Sequence, residues 1–109
     1  MRMTMVLAGA LLAVGLAGPA LASDADCYTS QDGNYPCDFQ ILDSSGSFRI
    51  EGDGVPTFIL TIDEPGVAFG SGIYEPGGRS VTLPGLFYRS EEDRACWIND
   101  STDFEICAY

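Results

Sequence analysis

The chemically capable residues of this chain are four cysteines and sixteen carboxylates. The cysteines are Cys27, Cys37, Cys96 and Cys107. They fall into a C-x9-C pair and a C-x10-C pair. Thiolate zinc sites use tighter pairs, so these spacings do not fit one. An even cysteine count in a short chain reads instead as a disulfide framework. The sequence contains no histidine and no lysine. That removes Ser-His and Cys-His nucleophile pairs, Schiff-base lysines and P-loops. Carboxylate pairs can hydrolyse glycosides, but so small a chain leaves little room for a sugar cleft. The oxygen-rich stretches 43–47, 51–54, 90–93 and 99–103 do not match the calcium-loop pattern, and they read as solvated turns. The expectation is a non-enzyme with no catalytic residue, no cofactor and no metal ligand.

Charge narrows the partners. The formal net charge is −11, with arginine as the sole cationic side chain. Nucleic acid and anionic membranes repel such a protein, whereas a basic protein would be drawn to it. Arg89 and Arg94 flank Glu91, Glu92 and Asp93, and surface ion pairs among them are expected. Such pairs contribute little stability.

The first residues read as a leader. Arg2 precedes an uncharged apolar run, Met5–Gly18, and then PALA with small residues at Ala20 and Ala22. This is the pattern of a secretory signal peptide, and the run is shorter than the roughly 20 residues that span a bilayer. Cleavage is expected between Ala22 and Ser23, giving a leader at 1–22 and one exported domain at 23–109. The product would be periplasmic or secreted, with no membrane span after cleavage. Removal of the leader takes Arg2 and no acid, so the mature domain is one unit more negative. Export permits disulfides, and a domain this small needs them because its core is marginal.

The elements that must position these residues are strands. Glycine and proline punctuate the chain every few residues, and the intervening segments are short and rich in aromatic and β-branched residues. Strands are predicted at 39–42, 47–51, 57–63, 66–74, 80–83 and 86–90. Pro84–Gly85 separates the last two. In TFILTID (57–63), Phe58, Leu60 and Ile62 share one face. With the terminal segments, this predicts seven or eight strands in a small antiparallel sandwich or barrel.

The cysteines bracket two hairpins. If ACWINDSTDFEICAY turns at Ser101–Thr102, Cys96 lies opposite Cys107, Trp97 opposite Ile106 and Ile98 opposite Glu105. Trp97, Phe104 and Ile106 then gather on one apolar face, with the cysteines on the other. Trp97 reads as core rather than as a ligand platform. In CYTSQDGNYPC, Asp32–Gly33 is a strong turn signal. The local pairing, Cys27 with Cys37 and Cys96 with Cys107, is preferred. The alternative, Cys27 with Cys107 and Cys37 with Cys96, closes longer loops and stays open.

Two resemblances follow from particular motifs. PGVAF (65–69), LPG (83–85), RS (89–90) and the ACW-x-ND…ICA ending (Cys96–Ala108) resemble a family of small exported bacterial proteins with no assigned activity. That resemblance implies export and the C-terminal hairpin. GSGIY (70–74) is similar to the serine-glycine loop, ending in tyrosine, of small exported β-barrel lysozyme inhibitors. The tryptophan segment of those inhibitors, with its following lysine and glycine, has no counterpart here. The likeness implies Ser71 and Tyr74 as partner contacts. Two functions are therefore expected: a non-enzymatic binding or structural module of the cell envelope or, alternatively, an inhibitor of a basic extracytoplasmic enzyme such as lysozyme.

Overall fold

The computed structural model describes residues 23–109. The expected leader, and Ala22 of its cleavage junction, lie outside the described residues. Nine strands run in order: β1 (Ser23–Thr29), β2 (Gly33–Ile41), β3 (Phe48–Glu51), β4 (Thr57–Glu64), β5 (Val67–Ile73), β6 (Ser80–Thr82), β7 (Phe87–Arg89), β8 (Cys96–Asn99) and β9 (Glu105–Ala108). Among the described residues there is no helix, and so none long and apolar enough to cross a membrane.

All pairings are antiparallel. The sheet closes on itself: β1 pairs with β9 and β4 with β5, so eight strands form a barrel and β6 is the ninth, extra strand. Among the described residues, closure leaves only β6 with an open edge, and strand edges are what small β proteins must hide. The strands predicted at 80–83 and 86–90 both lie along the same edge of β5. Tyr88 and Phe87 face Val67 and Ala68, while Thr82, Val81 and Ser80 face Ser71, Gly72 and Ile73. Pro84–Gly85 steps the chain away between them, because proline cannot donate to the ladder.

Alternation builds the core. Phe58 and Leu60 of β4, Phe48 and Ile50 of β3, Phe87 of β7, and Trp97 and Ile106 of the C-terminal hairpin all point inward. Trp97 is only 2% exposed, as a core residue should be. On β5 the inward positions are small: Ala68, Gly70 and Gly72. A Cβ at Gly70 would overlap the Phe87 ring. Fully filled eight-stranded barrels need such small-against-large pairs to pack without strain.

Both hairpins carry the local disulfides, Cys27–Cys37 and Cys96–Cys107. The C-terminal register is the expected one, with Cys96, Trp97 and Ile98 opposite Cys107, Ile106 and Glu105. Asn99 is buried there: its Oδ1 accepts from Ser101 N and Thr102 N, and its Nδ2 donates to Pro84 O at 2.7 Å. In the N-terminal hairpin the turn spans 30–32, and Gly33 takes φ 72°. That register sets Cys27 opposite Tyr35 and Cys37 opposite Ala25. The first bridge is thus diagonal and inward, whereas the second joins directly facing residues on the outer wall.

The expected ion pairs of Arg89 and Arg94 with Glu91, Glu92 or Asp93 do not form. Among the described residues the one ion pair is Arg49–Glu51. Arg89 lies opposite Trp97 across β7 and β8, and its guanidinium stacks over the indole instead, 4.8 Å from the ring centroid. In the 90–95 turn Asp93 instead accepts from Ala95 N and from the Tyr109 hydroxyl.

Candidate functional site

The outer wall of β1, β2 and β3 carries a row of carboxylates. Register places Asp24 opposite Asp38, and Asp38 opposite Glu51. Facing residues share a side of the sheet, so all three project outward together. Asp26, two residues along β1, and Asp53, in the turn after β3, join them around a cleft of about 550 Å³. Gly52 forms part of its wall. A Cβ there would press into the Tyr35 ring at 2.7 Å, so glycine lets the turn lie flat against the barrel.

Of these five acids, among the described residues only Glu51 has a basic partner, the Nε of Arg49 at 2.6 Å. Like charges directly opposite one another destabilise a sheet. The row therefore lowers the stability of a small domain, offset among the described residues at Glu51 alone. A concave surface of one sign over a low-dielectric wall also focuses its field and draws in opposite charge.

The sequence-predicted contacts fall unequally. Ser71 is inside β5, paired with Ile59 on one side and Thr82 on the other. GSGIY is thus mainly strand here, and its glycines are inward positions of the barrel. Tyr74 follows the strand, half exposed, with its ring edge-on to Phe58 at 6.1 Å. It lines a second hollow that shares Glu51, Gly52 and Asp53 with the acidic cleft and adds Glu75. The structure brings Tyr74, and not Ser71, to the margin of the acidic face.

Cys96, Cys107 and Glu105 stand within 4.8 Å of one another. The two sulfurs are bonded to each other, so the trio offers no thiolate to a metal. The bridge is covered on the outside by Tyr109, whose hydroxyl lies 3.5 Å from the Cys96 sulfur and donates to Asp93. That hydrogen bond is the main reason the Tyr109 phenol titrates above its usual range.

The carboxylate row was not found by reading motifs, because no motif holds it. Its signal was the alternation of Asp24 and Asp26 before the turn and Asp38 after it. Reading it required the register through Gly33 and the pairing of β2 with β3. Comparison of the chain with known protein families, with curated proteins and with solved structures finds no match.

Proposed function

We propose that this is an exported, non-enzymatic binding module that takes a basic protein on its acidic face. The observation that carries the reading is the row Asp24–Asp38–Glu51, three acids facing one another across three strands. A solubilising surface has no need to oppose acids directly, since scattered charges serve as well. Opposed acids are stable once a cationic partner lies between them. Two further features support the reading: the closed barrel is a rigid platform, and the leader-like first residues and paired cysteines suit an oxidising compartment.

The test is capture of basic proteins, lysozyme and cytochrome c among them, by the oxidised domain 23–109. Binding is expected at low salt and should fall steeply as salt is raised. The triple variant D24N/D38N/E51Q should lose it. Capture that survives both salt and the triple variant would sink the proposal.

The inhibitor reading is a narrower form of the same proposal. What favours it is Tyr74, an exposed aromatic side chain at the edge of the acidic face. An inhibitor must lower the activity of the enzyme it binds, and Y74A should relieve that inhibition more than S71A.

A further inference from the structure

The rim of the barrel holds a second charged cleft, and it shares no residue with the acidic one. It opens where the β4–β5 turn, the β2–β3 loop and the turn at 90–95 meet, and its volume is about 450 Å³. Arg89 and Arg94 line it, and so do Asp63 and Glu64, with the buried Trp97 beneath Arg89. Half of the arginines in the described chain are therefore in one cleft of an acidic protein. Neither makes an ion pair among the described residues.

Each group is presented rather than used up. Arg89 is held over the Trp97 ring, 4.8 Å from its centroid, by a contact that uses none of its N–H groups in an ion pair among the described residues. The register of β4 with β5 shifts between Ile62 and Glu64. Such bulges re-aim side chains at barrel rims, and this one falls at the two acids that border the cleft.

A simple anion would be attracted by the arginines and repelled by Asp63 and Glu64. For a simple cation the reverse holds. A ligand carrying both charges a few ångströms apart satisfies both pairs. Guanidinium groups take a carboxylate through paired hydrogen bonds, and carboxylates take an ammonium. We propose that this cleft binds a zwitterionic α-amino acid or short peptide. The carboxylate would meet Arg89 and Arg94, and the ammonium would meet Asp63 and Glu64. This site is independent of the acidic face and of any basic partner there.

Trp97 is the chain's single tryptophan, so its fluorescence reports on this site directly. The oxidised domain would be titrated with leucine, phenylalanine and dileucine, with calorimetry as a second readout. A saturable change is expected with at least one of them below about 10 mM, ten times the Kd of a weak millimolar site. The N-acetylated acid lacks the ammonium and the amide lacks the carboxylate, so each should bind at least about tenfold more weakly, as the loss of a charge-assisted pair implies. R94Q and E64Q should each weaken binding similarly, with R79Q unchanged, and near-UV circular dichroism would confirm that the variants are folded. The proposal is overturned if no probe gives a saturable change, if the blocked analogues bind equally, or if R94Q and E64Q bind as the parent does. Capture of a basic protein should be the same in R94Q as in the parent, so failure here is separable from failure of the acidic face.

Discussion

Gly70 and Asp43 show how single residues constrain this fold in opposite ways. Gly70 is needed for what it lacks. Phe87 is fully buried against it, and Leu60 would also stand 3.2 Å from an added Cβ. Gly70→Ala is expected to cost about 1–3 kcal/mol through overpacking, read as a lower midpoint in urea unfolding. Asp43 is needed for what it accepts. Its Oδ1 takes the backbone N–H groups of Ser45 and Ser47 in the β2–β3 loop. Hydrogen bonds from Ser47, chiefly from its side chain, hold the carboxyl below its usual range. Its stabilising contribution is therefore present above the unfolded-state value and is lost as pH falls through the lower, folded-state one. Asp43→Asn should lower thermal stability most near neutral pH, and the difference from the parent should shrink below about pH 4, the ordinary aspartate range, so that the acid limb is flatter in the variant. An unchanged acid limb in the variant would show that Asp43 does not set it.

At the scale of elements, the two cysteine hairpins do different work. Cys27–Cys37 is inward and packs within the hydrophobic cluster, whereas Cys96–Cys107 lies on the outer wall under Tyr109. Both close short loops, with sequence separations of 10 and 11, so the unfolded chain is constrained almost equally by each. The chain-entropy contribution is about 2–3 kcal/mol apiece. The packing contribution differs. Replacing Cys27 and Cys37 by alanine should cost more than replacing Cys96 and Cys107, because only the first pair leaves a void among Phe48, Ile50 and their neighbours. Guanidinium unfolding of the two double variants checks this, and equal losses would contradict it. Both pairings and the C-terminal register were legible from the sequence, since a hairpin is a local structure. The diagonal offset of the first bridge was not, because it depends on which residue the turn places at Gly33.

For the whole molecule, the acidic face predicts a trade between stability and binding. D38N removes the central acid of the row and so relieves both of its facing repulsions. It should raise stability by about 0.5 kcal/mol, within the range of cross-strand charge effects, while weakening capture of a basic protein. A variant that gains stability and keeps full binding would separate the row from the binding surface. Reduction of both disulfides should unfold the domain, because a core this small is marginal without them.

Local information was enough for much of this protein. Strand periodicity marked most of the inward faces, turn residues marked the breaks, and the cysteine spacing marked the staples, since each depends on neighbours a few residues away. Which strands meet is a different kind of fact. Closure of β4 on β5 and β1 on β9 chose the barrel over the sandwich, and the shared edge of β5 joined two strands that read as separate. Lateral pairing brought Asp24, Asp38 and Glu51 into one row, and the barrel rim gathered Asp63, Glu64, Arg89, Arg94 and Trp97 around one cleft. Those sets are spread along the chain with no spacing of their own, and strands align them only through a register set by the whole sheet.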